Sequence, residues 1–101
     1  MNVVQPQPEI TLLALMRINL HQDIGIHYQE FGVFLLLEHA GTRVRNMERK
    51  CMNDPQNINL EILQEWLEGR GRRPVTKETL VDVLREIELH TVADRVEQVQ
   101  A

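Results

Sequence analysis

The sequence predicts an all-α fold, a compact bundle of six short helices. Three observations predict it. From Ile10 onward almost every apolar cluster recurs at helical spacing. No segment alternates apolar and polar residues as a half-buried strand would. The gaps between clusters are short and carry helix-start and helix-stop residues, and such connections force neighbouring helices to run antiparallel or to cross steeply.

Pro6 and Pro8, flanked by glutamines, read as a flexible leader over residues 1–8, and residues 9–99 as the bundle. The first helix is expected over 9–20, with Leu12, Leu15 and Met16 on one face and Leu13 and Leu20 beside it. After Asp23-Ile24-Gly25 a second helix is expected over 28–38. Its Phe31, Phe34, Leu35 and nearby leucines are apolar all round, which predicts the most buried helix of the set. Gly41 is read as the separator before a third, polar helix over 42–51, where Val44, Met47 and Cys51 form one narrow stripe.

The fourth helix has the clearest start. Asp54 is a natural N-cap, and Pro55 suits the first helical position, where its missing N–H costs nothing. Ile58, Ile62, Leu63, Trp66 and Leu67 then share a face, and Gly69 fits the left-handed C-terminal position. Thr76 is expected to cap the fifth helix, with Glu78 in its first turn and Leu80, Val83, Leu84 and Ile87 facing inward. The last helix should start at His90 or Thr91, where Thr91-Val92-Ala93-Asp94 has capping-box spacing, and should turn Val92, Val96 and Val99 inward. None of these helices would be stable alone, so burial of their apolar faces must hold them.

The chain has 101 residues, 43% hydrophobic and 26% charged, the balance of a soluble single domain. Its net charge of -4 disfavours a general nucleic-acid binder, because affinity for phosphate rises with basic charge. Cys51 is the only cysteine, which excludes an internal disulfide and a cysteine-based zinc site and fits a reducing compartment. The N-terminus has no basic region before its apolar stretch, and the run Val33–Leu37 falls far short of the roughly 20 residues of a membrane span. A cytoplasmic or nuclear protein is expected, without membrane or cofactor.

The natural candidates for a nucleophile, base or metal ligand are His21, His27, His39 and Cys51, and no local signature joins them. His21 and His27 lack the i, i+4 spacing of a zinc helix, and no glycine-rich phosphate loop is present. Glu61/Glu65 and Glu86/Glu88 read as solvated helix faces, Trp66 as a core anchor, and Cys51 as a small half-buried hydrophobe. An enzyme is not expected.

The segment WLEGRGRRPVT, with Arg70, Arg72 and Arg73 and then Lys77, poses the sharpest question. A minor-groove hook needs an extended, free strand, whereas this one is pinned between Gly69 and Thr76. A second basic cluster, Arg43, Arg45, Arg49 and Lys50, falls on the third helix. Carboxylates concentrate on the fourth and fifth helices: Glu61, Glu65, Glu68, Asp82, Glu86 and Glu88. Patches of opposite sign suit head-to-tail association with copies or relatives, a heterologous contact that can propagate. The bland reading is a set of ordinary solvated faces. Each exposed pair contributes only about 0.2–1 kcal/mol, so affinity would require several contacts.

From Asp23 to Val99 the chain resembles the death-domain branch of the death-fold superfamily. Ile24-Gly25 followed by YQEFGVFLLLE is similar to that family's second helix, with its Phe-Gly or Leu-Gly step. LEILQEWLEGRG is similar to the fourth, whose tryptophan anchors the core, and PVTKETLVDVLREIELHTVADRVE to the closing pair. Lys77 departs from the pattern, since many relatives carry Trp after the capping threonine. The resemblance implies a six-helix Greek-key bundle without catalytic activity, which assembles signalling complexes in apoptosis or innate immunity by homotypic oligomerisation. Partners would be other death-domain proteins or copies of itself, as a homo-oligomer. The implied protein-binding residues are Arg43, Arg45, Arg49, Glu61, Glu65, Glu68, Arg70, Arg72 and Arg73. The alternative is a small helical nucleic-acid-binding domain using the loop Arg70–Arg73.

Overall fold

The computed structural model describes residues 10–99, so the expected leader lies outside the described residues. Among them the fold is all-helical, with no strand. The helix expected over 9–20 is shorter, α1 (Leu12–Arg17), and an unexpected second helix, α2 (Leu20–Ile24), follows it. The chain breaks at Asn19, which adopts the left-handed conformation at φ 57° and whose carbonyl accepts from both Gln22 and Asp23. Asparagine tolerates that region better than most side chains. The kink aims Leu15, Leu20 and Ile24 into the core and leaves Leu13 and Met16 at the surface, against the expectation for Met16.

A single 3-10 turn, Gly25–His27, leads into α3 (Tyr28–Leu36), followed by α4 (Ala40–Lys50). Gly41 is not the separator but lies in the first turn of α4. The break is made instead by Leu37 and His39, both at positive φ. Then come α5 (Pro55–Leu67), α6 (Lys77–Glu86) and α7 (His90–Glu97). Asp54 caps α5 with Pro55 behind it, and Thr76 caps α6, its hydroxyl accepting from the Thr79 amide at 3.1 Å. The capping box expected at Thr91 does not form. Leu89 is the N-cap of α7 without a side-chain bond, and Asp94 instead receives Arg85 at 2.8 Å.

α3 stands at the centre, packed on α4, α5 and α6; α2 packs on α5 and α7, and α6 and α7 lie along each other. Phe31, Leu35, Ile58, Ile62, Trp66, Leu80, Leu84 and Val96 fill the shared interior. Gly32 lets three helices meet, because a Cβ there would stand 2.6 Å from Val44 Cγ2 and 3.0 Å from Ile62 Cδ1. Asn59, fully buried in α5, donates to the carbonyls of His21 at 3.1 Å and Gly25 at 3.0 Å, fastening the turn after α2. The expectation that α3 is the most buried helix fails, because one side of it is open. Phe31, Gly32, Leu35 and Leu36 are buried, but Val33, Phe34 and Leu37 are 43%, 37% and 46% exposed.

Candidate interaction surface

The arginine corner is built on the end of α5. Gly69 sits at φ 81°, the Arg70 amide donates to Glu65 O and the Gly69 amide to Trp66 O, which together form a Schellman closure. The chain then folds onto the C-terminal end of α3, whose last carbonyls lack helical partners and carry the negative end of the dipole. The Arg72 amide donates to Leu36 O at 3.1 Å, and the Arg73 guanidinium Nε to Phe34 O. Gly71 allows a close approach here, because a Cβ would press on Leu35 O and Leu36 Cα at 3.3 Å and push the backbones apart by a few tenths of an ångström.

The three arginines therefore do different work. Arg73 is only 26% exposed, clamping α3 and lying 3.7 Å from Glu86. Arg70 and Arg72 face outward, each beside a carboxylate of its own chain: Glu68 at 3.3 Å and Glu38 at 3.7 Å.

Charges of opposite sign on α4 and α5 meet within the molecule. Arg43 binds the Glu65 carboxylate and also donates to Glu38 O at 3.2 Å and Arg70 O at 2.9 Å. It thus ties α4, α5, the end of α3 and the arginine corner at one half-buried point. Lys50 reaches Glu61 at 2.9 Å in the open. Arg45 and Arg49 are exposed on α4 with no ion pair among the described residues. The same holds for the exposed carboxylates Glu30 on α3, Glu78 and Asp82 on α6, and Glu88. Of the nine candidate residues, then, Arg43, Glu65 and Arg73 tie elements of the fold together and Glu61 and Glu68 pair with Lys50 and Arg70 at the surface, while Arg45, Arg49, Arg70 and Arg72 present charge to solvent.

Lys77, the departure from the family pattern, donates to Val99 O at 2.9 Å and Glu97 O at 3.3 Å, so its ammonium closes the C-terminal end of α7. Sequence reasoning did not foresee this, because it depends on how α7 returns beside α6.

The residues considered for catalysis stay apart. His27 and His39 are exposed, His21 is half-buried, and no group of His, Cys, Asp and Glu able to hold a metal occurs among the described residues. Burial first, and Glu61 second, push the Cys51 thiol above its usual range, which disfavours the thiolate. No helix among the described residues is long and apolar enough to cross a membrane.

Compared with known proteins, the chain matches no family model, no curated sequence and no solved structure.

Proposed function

We propose that this chain is a non-catalytic protein–protein interaction module of the death-domain type. It works in the cytoplasm, in apoptotic or innate-immune signalling, by assembling with copies of itself or with related domains. One observation carries the reading: once the internal pairs are formed, unpaired charge of opposite sign remains on α4 and α6, with α3 packed between them. Arg45 and Arg49 stand on α4, Glu78 and Asp82 on α6. A contact from α4 of one copy to α6 of the next leaves both surfaces free at the two ends, so it can propagate. The helix order and the central place of α3 are compatible with a Greek-key bundle and support the family reading.

Charge reversal tests it. Arg45→Glu/Arg49→Glu and Glu78→Arg/Asp82→Arg should each abolish large species in light scattering while leaving helical circular dichroism intact. An equimolar mixture of the two variants should restore assembly, because each supplies the charge the other lacks. Assembly indifferent to both reversals would remove this contact. A duplex bandshift at low salt that disappears when Arg70 and Arg72 are reversed would establish the nucleic-acid alternative instead.

A further inference from the structure

α3 carries two apolar faces, and the fold covers only one. Phe31 and Leu35 point into the core, while Glu30, Val33, Phe34 and Leu37 follow the i, i+3, i+4, i+7 spacing on the opposite, exposed side. Isolated exposed apolar residues are ordinary, but a continuous stripe on a helix already buried on its other side is not. The stripe ends in strained backbone. Leu37 has φ 61° and ψ -54°, and the Glu38 amide donates to Leu36 O at 2.7 Å, a γ-turn of the rare, strained hand. Such strain persists where surrounding structure enforces it and where it serves a site. Here the arginine corner enforces it, through Arg72 N on Leu36 O and Arg73 on Phe34 O.

We propose that this stripe is a two-fold interface with a second copy of the chain, α3 packing antiparallel against α3. The charges at its ends select that occupant. Glu30 opens the stripe without an ion pair among the described residues, and Arg72, 70% exposed beside Glu38, stands at the far end. Seven residues separate Glu30 from Leu37, about 10 Å of helix. A two-fold axis near Val33 and Phe34 then brings Glu30 of each copy to the arginine end of the other. Both apolar stripes are covered, and both charge contacts form twice. Three apolar side chains per copy fall well short of the about 1,200 Å² of a stable interface, so the dimer is weak and transient. The inference uses none of the α4 or α6 charges proposed for head-to-tail growth.

Sedimentation velocity across concentration on the full chain tests it, with Glu78→Arg/Asp82→Arg as the background so that head-to-tail growth is blocked. A dimer should remain there. Glu30→Arg and Arg72→Glu should each weaken it about tenfold, and mixing those two variants should restore it. Leu37→Gly separates pairing from folding: it relieves the positive φ and should raise the melting temperature while removing the dimer. A monomer at every concentration overturns the proposal, as does a dimer insensitive to all three changes. Failure of the mixture to recover overturns the two-fold arrangement. Because head-to-tail growth is scored separately in the wild-type background, either reading can fall without the other.

Discussion

Tyr28 joins the start of α3 to the last turn of α4 by donating its hydroxyl to Glu48 Oε2 at 2.7 Å. That bond comes first among the causes that raise the tyrosine pKa, followed by burial and the Glu48 charge itself. The folded value thus lies above that of the unfolded chain, which is about 10. Below that pH both states hold the proton and the contribution is complete. Above it the unfolded chain ionises first, and stability falls until the folded hydroxyl also ionises. Tyr28 is the only tyrosine, so tyrosinate absorbance reports this group alone. The titration should run later in the folded chain than in urea. Tyr28→Phe should cost about 0.5–1 kcal/mol at neutral pH and flatten the alkaline decline measured by denaturant unfolding. An unchanged decline in the variant would place the alkaline sensitivity elsewhere.

Helices are set apart here by two kinds of signal, and only one is visible in the chain. Asp54-Pro55, Gly69 and Thr76 act on their own neighbours, so spacing alone located the ends of α5 and the start of α6. The breaks at Asn19, Leu37 and His39 put side chains at positive φ, which asparagine and histidine tolerate but no local preference demands. At Leu37 packing imposes it, since α3 must stop where the arginine corner crosses it. Charge pairing escaped sequence reading for the same reason: whether Arg43 faces Glu65 depends on the register of α4 against α5. The two helical glycines test how packing divides from propensity. Gly32→Ala would drive a methyl into Val44 and Ile62, and should destabilise by about 1–2 kcal/mol after the gain in helix propensity. Gly41→Ala meets nothing within 4 Å and should stabilise by about 0.5–1 kcal/mol. Val44→Ala alone leaves a gap, and combining it with Gly32→Ala should cost less than the two changes summed, as chemical denaturation of the four variants would show. Equal effects at both glycines would contradict the close approach.

At the scale of the molecule, the bundle is closed by contacts between its two ends. Arg95 on α7 binds the Asp23 carboxylate on α2 and donates to Ile18 O at 2.6 Å, joining positions 77 residues apart in sequence. Arg85 on α6 gathers Asp94 at 2.8 Å and Glu97 at 2.7 Å, fixing α7 on its other side. α7 is short and amphipathic, and a helix of this length has little stability of its own. Its position is therefore set by Ala93 and Val96 in the core and by these two arginines at the rim. Both guanidiniums are more than a third exposed, so the ion pairs alone contribute little in water. The bond from Arg95 to the Ile18 carbonyl adds a charged hydrogen bond at the α1–α2 break, where the backbone turns away from helical pairing. Arg95→Ala should therefore cost about 1 kcal/mol, and Arg95→Lys should recover little, because one ammonium cannot serve both acceptors in the same geometry. Amide hydrogen exchange locates the effect: protection should fall first in α7 and around Ile18 to Asp23, while α3 and α5 keep theirs. Uniform loss of protection across all helices would mean that Arg95 supports the whole fold and not the closure of its ends.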